Sequence, residues 1–404
     1  MVEFIGGGVC APKGFKANGV HCGIRKNREK RDLALIVSEK RCSAAAVYTT
    51  NLVQGAPVIV TKEHLQDGYA QAIVVNSGNA NTCNRNGISI ANRMCALVKR
   101  YTKIPKEDVI IGSTGVIGQK LVIDPIKEGM PELAAGLGDN SWAAAEAIMT
   151  TDTVKKEFAI KFTLNGKEVK MGAIGKGVGM ICPNMATLLL FITTDAAISP
   201  QMLQKALSEE VDDSLNMLSV DRDTSTNDTL GILANGLAGN KEIVEEGKDF
   251  NIFKEMLHVV TTKFCKMLAA DGEGATKLIE CHVKRAKTKA DARLAAKAVV
   301  NSNLVKAMVF GADANGGRVM CALGYSGADI DITKINVSFC SSAGIVEAYR
   351  RGFARPFDEE LAKKILSEKE IHIMIDLNDG IDSATAYGCD LTYDYVKING
   401  DYRT

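Results

Sequence analysis

Residues 158–195 set a tight turn, a glycine-rich loop and an apolar strand in direct succession. Phe158–Leu164 and Lys167–Ile174 read as two strands around Asn165-Gly166, the strongest short signal for a β-hairpin. The second strand delivers the chain to Lys176-Gly177-Val178-Gly179-Met180-Ile181-Cys182-Pro183-Asn184-Met185-Ala186-Thr187, and Leu188–Asp195 follows as an apolar strand. Glycine and proline at this density are more than a simple connection needs. The order holds one hydroxyl, that of Thr187, where a constrained loop meets a sheet. A sheet fixes the position of a group at its edge, as a nucleophile requires. The same placement suits a peptide bond, Ala186–Thr187, that cleaves itself. An ordinary strand-opening threonine fits this spacing equally well.

The preceding segments also read as strands: Leu33–Ser38, Ser43–Tyr48, Pro57–Thr61, Ala72–Asn76 and Val109–Ile111, separated by charged or glycine-containing turns. Helical periodicity covers Gly87–Arg100 and Ser141–Met149. Beyond Thr187 helices become frequent. Ser199-Pro200 starts one that runs to about Asn216, with an N-cap serine and a first-turn proline. Phe250–Leu268, Ala290–Met308 and Asp358–Leu366 supply others, and Thr229–Leu237 and Ile279–Val283 are apolar strand segments. Strands and helices in mixed order predict an α/β (α+β) fold with mixed, largely antiparallel sheets.

Several function classes are disfavoured. The 49 basic and 48 acidic residues leave a net charge of +1, so no basic excess points to nucleic acid. No run reaches the roughly 18 apolar residues of a membrane span, and a cytoplasmic protein is the expectation. The eleven cysteines contain no C-x-x-C pair and are scattered through apolar runs, which predicts buried reduced thiols and no zinc site. The five histidines, His21, His64, His258, His282 and His372, are isolated along the chain and show no metal-ligand spacing. Asp221-Arg222-Asp223-Thr224-Ser225 lacks the later glycine and glutamate of a calcium loop. Gly175-Lys176-Gly177 lacks the spacing of a phosphate loop.

What remains is a nucleophile without histidine. Cleavage before Thr187 would free an α-amino group with a pKa near ~8, close enough to its own Oγ to act as base. The cut can be self-made, with Oγ attacking the Ala186 carbonyl to give an ester that water hydrolyses. Thr114-Gly115 suits an oxyanion hole, because glycine permits close backbone approach and threonine adds a hydroxyl donor; a plain strand-to-helix turn reads the same way. Glu273, between two glycines, can hold a substrate ammonium or be a solvated turn residue.

Together these segments resemble the ornithine acetyltransferase (glutamate N-acetyltransferase) family of arginine biosynthesis, over essentially the whole chain. The hallmark is Lys176–Thr187. Further matches are Val75–Asn81, Gly112–Gly118, Thr150-Thr151-Asp152-Thr153, Asp223–Thr229, Asp271–Gly274 and Asn399 with Tyr402-Arg403-Thr404. The resemblance implies a layered αββα-type sandwich, and self-cleavage into residues 1–186 and 187–404. It implies Thr187 as nucleophile and Thr114 and Gly115 at the oxyanion. Thr150, Lys176, Thr187, Glu273, Asn399 and Thr404 are implied as substrate contacts. The implied substrates are N2-acetylornithine and glutamate, in a ping-pong reaction with no cofactor or metal. Some members also use acetyl-CoA as donor, and both donor sets stay open here. Two alpha and two beta chains are the implied assembly. Self-cleaving aminopeptidases of the wider fold group, which pass the acyl group to water, are the alternative; a non-catalytic amino-acid-binding protein is another. Three positions depart from the family pattern: Cys182 for alanine, Arg222 for glycine and Gly316 for tryptophan.

Overall fold

Leucine, isoleucine, valine and alanine occupy both faces of the early strands, so the sheet they build must be covered on both sides. A computed structural model describes residues 2–181 and 188–401. Its strands are β1 (Glu3–Ile5), β2 (Phe15–Val20), β3 (Leu33–Tyr48), β4 (Tyr69–Asn76), β5 (Val109–Ser113), β6 (Lys156–Leu164), β7 (Lys167–Lys176), β8 (Leu189–Thr194), β9 (Leu218–Ser219), β10 (Thr229–Ala234), β11 (Leu278–Ala286), β12 (Asn336–Ser341), β13 (Gly344–Arg350), β14 (Phe353–Ala354), β15 (Glu370–Asp376) and β16 (Asp382–Cys389). Two compact units result. One holds residues 1–177, 184–211 and 224–264, the other 178–183, 212–223 and 265–404.

The first unit is built on a sheet of order β1-β6-β7-β8-β10-β3-β4-β5, with β2 on β3. Alternation with period two sorts its core. Leu33, Leu35, Ala72, Val74, Val109 and Ile111 face one cluster, shared with helices Gly87–Thr102 and Asp124–Ala135. Ala34, Ile36, Ile73, Val75 and Ile110 face the other, with Ala144, Ala145 and Phe191. The β6–β7 hairpin turns at Asn165-Gly166 with φ of 49° and 73°, the double positive φ of a type I′ turn. Strands β7 and β8 pair antiparallel from Met171↔Thr194 to Lys176↔Leu189. Lys176 and Leu189 therefore lie side by side at one end of this strand pair.

The second unit carries the sheet β14-β13-β12-β15-β11-β16-β9. Ile279, Cys281, Val283, Ile371, Ile373 and Ile375 point from one face into a core with Val299, Val309, Val319 and Ile365. Those four come from helices Lys289–Asn301, Asn303–Phe310, Gly316–Gly324 and Glu359–Ser367. Most strand pairs are antiparallel; β4–β5, β8–β10, β9–β16 and β11–β15 are parallel. The mixed, largely antiparallel α/β architecture is that expected from the sequence.

Several expectations are corrected. Leu33–Ser38 and Ser43–Tyr48 are one strand, β3, with a register shift between Val37 and Cys42, and the helix from Pro200 ends at Val211 instead of near Asn216. Pro57–Thr61 is not a strand but part of helix Ala56–His64, with proline in its first turn. Burial of Val58 and Val60, and Thr61 Oγ1 donating to the Ile111 carbonyl at 3.0 Å, override the β-preference of its valines and isoleucine. The single helix expected over Ala290–Met308 is two, divided at Ser302. That residue has ψ 113°, and its Oγ caps the second helix at Val305 N. No helix among the described residues is long and apolar enough to cross a membrane. Of the described cysteines, Cys42, Cys95, Cys265, Cys281 and Cys389 are buried, whereas Cys83 and Cys321 are exposed.

Two of the departures from the family pattern have a visible setting. Arg222 sits at φ 74°, a left-handed backbone that favours glycine. Gly316 lies under the Tyr349 ring, 2.8 Å from where a Cβ would stand, so no large side chain fits there while the tyrosine holds its place. Cys182 lies outside the described residues.

Candidate active site

Thr187 and Ala186, the expected scissile pair, and Thr404 lie outside the described residues. The other expected site residues fall into two groups, one in each unit.

In the first unit, β5 ends at Ser113 and hands the chain to Thr114 and Gly115. Thr114 N–H donates to the Asn76 carbonyl at 3.0 Å, so its backbone hydrogen is committed. Its hydroxyl accepts from Lys176 Nζ at 3.2 Å. A hydroxyl that accepts from an ammonium still has its own hydrogen to donate. Gly115 has φ 128°, and a Cβ there would stand 2.4 Å from Gly78 C and 2.6 Å from Asn79 N. Because the obstacle is backbone, only glycine lets the chain pass.

Buried amides hold this turn. Ser113 Oγ donates to Asn76 Oδ1 at 2.6 Å, and Asn76 Nδ2 to the Asn79 carbonyl at 2.9 Å. Asn227 Nδ2 reaches the carbonyls of Ala80 and Ser113 at 2.6 and 3.0 Å. The polar stretches around Asn76–Asn81 and Asp223–Thr229 are thus the two sides of one network.

Lys176 is the last residue of β7, placed by the hairpin that Asn165-Gly166 starts. Beside it Asp152 is buried and gathers three donors: Lys156 Nζ at 2.8 Å, Gly177 N at 3.0 Å and Thr150 N at 2.9 Å. Burial alone pushes the Asp152 carboxyl up; Lys176 and Lys156 outweigh it and hold its pKa below the ordinary aspartate range. Thr150 and the start of the glycine-rich run are therefore tied to one carboxylate. In the sequence Asp152 is one residue of the Thr150–Thr153 motif, with no role apparent there. No local spacing signals it, because residues 150–155 form no helix and the pair is brought together by the packed chain.

In the second unit, Glu273 is 8% exposed. Its N–H donates to the Val178 carbonyl at 2.7 Å, and Oε2 accepts from Asn399 Nδ2 at 2.8 Å. A Cβ on Gly179 would stand 2.3 Å from that same Oε2. Asp221 fastens the same segment, accepting from Met180 N at 2.7 Å, Ile181 N at 2.8 Å and the Tyr395 hydroxyl at 3.2 Å. Burial first, then the neighbouring Asp221, pushes the Tyr395 phenol well up, so it stays a neutral donor. The carboxylate set aside as a failed calcium loop is a clamp on the glycine-rich run. The structure brings together Thr114 with Lys176, and Glu273 with Asn399.

These parts are a fixed hydroxyl beside an ammonium at a glycine-only turn, and a buried carboxylate with an amide partner. Each is a polar group fixed by its own unit, and the sequence relationship supplies the class of protein. The chain belongs to the ArgJ family, whose model matches residues 16–404, and it is an arginine-biosynthesis acyltransferase. It is 50% identical over 405 residues to the arginine biosynthesis bifunctional protein ArgJ of Caldanaerobacter subterraneus subsp. tengcongensis, covering 100% of both chains. It is 52% identical over 393 residues to ArgJ 1 of Clostridium acetobutylicum, covering 96% of each. Among solved structures, the Bacillus halodurans ArgJ chain matches with a TM-score of 0.50 and 41% identity, over 52% of this chain and 97% of that one.

Proposed function

We propose that the protein moves an acetyl group from N2-acetylornithine to glutamate through an ester on Thr187. Thr187 Oγ attacks the acetyl carbonyl carbon while its free α-amine takes the hydroxyl proton. The tetrahedral oxyanion is stabilised by Thr114 Oγ1–H and by the backbone at Gly115, with the Lys176 ammonium alongside. The C–N bond then breaks, the departing amine takes the proton, and ornithine leaves. Glutamate's amine attacks the acetyl ester, the C–O bond breaks, the Thr187 hydroxyl is restored and N-acetylglutamate departs. Lys176 suits a substrate carboxylate and Glu273 a substrate ammonium, with Thr150, Asn399 and Thr404 as further contacts. No cofactor or metal enters these steps. Acetyl-CoA is a second donor, in keeping with the word bifunctional in the relatives' names.

The observation that carries this reading is the Lys176–Thr114 contact at 3.2 Å. A hydroxyl with an ammonium beside it is the kind of pair that stabilises an oxyanion, which supports the reading.

The nucleophile is freed by cleavage at Ala186–Thr187, giving chains 1–186 and 187–404. The Bacillus halodurans chain is covered to 97% by 52% of this one, so it is about half as long, as a fragment from such a division is. The fragments stay together because β7 and β8, on either side of the cut, share six register pairs. They assemble as two alpha and two beta chains in the cytoplasm.

Mass spectrometry of the purified protein tests the reading. Chains of about 20 and 23 kDa are expected, with one uncut, inactive chain for Thr187→Ala. Two chains persisting in that variant would refute self-cleavage by Thr187. Acetate release in place of N-acetylglutamate formation would mark a hydrolase instead.

A further inference from the structure

The face of the second sheet opposite its helix-covered core carries a cluster that the acetyl-transfer chemistry does not use. Glu280 and His282 alternate on β11, and so point to the same side, away from the core residues Ile279, Cys281 and Val283. The parallel neighbour β15 sets His372 directly opposite Glu280. His282 Nε2 stands 3.1 Å from His372 Nδ1 and 3.6 Å from Glu280 Oε2. All three donor atoms lie within 4.8 Å of one another.

We propose that Glu280, His282 and His372 form a binding site for one divalent transition-metal cation, zinc above all, that clips β11 to β15. The distances fit. Bonds of about 2.0–2.1 Å in a tetrahedral site put neighbouring ligand atoms roughly 3.3 Å apart, between the two separations found. Both rings also have the outer partners that orient histidine ligands. His282 Nδ1 faces Thr385 Oγ1 on β16 at 3.1 Å, and His372 Nε2 faces Glu370 Oε1 at 3.7 Å. Lys266 Nζ lies 2.6 Å from Glu280 Oε1, which leaves Oε2 to serve as a single-oxygen ligand. Glu280 is buried while each imidazole is 29% exposed, so the open side admits a water as fourth ligand.

The site is tested on the full protein stripped with chelator and titrated with ZnCl2 by calorimetry and with CoCl2 by visible absorption. One equivalent per chain is expected, with a rise in melting temperature on metal addition. Affinity should fall at least about 100-fold in His372→Ala, and about 10–100-fold in Thr385→Val, which keeps all three ligands. Circular dichroism checks that both variants are folded. Absence of saturable binding would overturn the proposal. So would binding unchanged in both variants, or cobalt absorption of the thiolate charge-transfer type, which would put the metal on cysteine.

Discussion

The Glu273 carboxylate fills the space where a Cβ on Gly179 would stand, 2.3 Å from Oε2. The second glycine of the Lys176–Thr187 run is thus a seat for an acid far away in sequence. Gly179→Ala must move that acid. A charge-assisted hydrogen bond to a ligand is worth about 1.5–3 kcal/mol. The expected outcome in steady-state assays is a rise of roughly 10–100-fold in KM for the amino-acid substrate, with little change in the urea midpoint. Unchanged KM would separate Glu273 from substrate binding.

Thr114→Val removes the hydroxyl and keeps the shape. Loss of one oxyanion donor costs about 10²–10³ in kcat, and Thr114→Ser should recover most of it. Rates of N-acetylglutamate formation by the three proteins decide the point. Equal rates in wild type and Thr114→Val would exclude the hydroxyl from the reaction.

Asp152 and Lys156 are a fully buried ion pair. Asp152→Asn strands the Lys156 charge and should cost about 3–5 kcal/mol of stability, whereas Asp152→Asn with Lys156→Met should recover much of that loss. The pH dependence has a definite sign. The Asp152 pKa is lower in the folded chain than in the unfolded one. Its contribution is therefore complete above the unfolded value, near ~4, and is lost as pH falls through the folded value. Chemical denaturation between pH 3 and pH 7 should show a shallower acid-side loss in the double variant than in wild type.

Arg222 occupies a left-handed backbone at φ 74°, which costs a non-glycine residue about 1–2 kcal/mol. Glycine's greater freedom in the unfolded chain offsets part of the gain. Arg222→Gly should therefore raise stability by about 1 kcal/mol or less, read from urea melts of the two proteins.

Chains produced by the proposed cleavage should travel as one particle. The pairings β7–β8 and β3–β10 each join a strand before residue 186 to one after it. Gel filtration in buffer should give a single species holding both chains, separated only by denaturant. Spontaneous separation in buffer would contradict a shared sheet.

Much of this protein is legible in short stretches of sequence, because turn and cap chemistry is local. Asn165-Gly166 specifies its hairpin through two positive φ angles. Ser199 and Asp358 mark helix starts by the hydrogen bonds their side chains make. The motif around Thr114 is readable because glycine at 115 is a demand of the backbone itself. Pro57–Thr61 misleads because its β-branched residues favour a strand, and only packing against β5 and the helix Gly87–Thr102 makes it helical. Ser302 divides an evenly periodic helix because a cap formed by one side chain carries no periodicity.

The sequence by itself determined the hairpin, the glycine-rich run and the residue types of an acyltransferase, since each depends on neighbours within a few positions. Only the tertiary structure decided what the polar residues hold. Asp221 clamps Met180 and Ile181, Asn227 spans Ala80 and Ser113, and Glu273 rests on Gly179. His282 and His372, ninety positions apart, meet only because β11 and β15 run parallel in one register. Register between distant strands is set by burying one face of a sheet against helices. That is a property of the packed chain, and no local spacing encodes it.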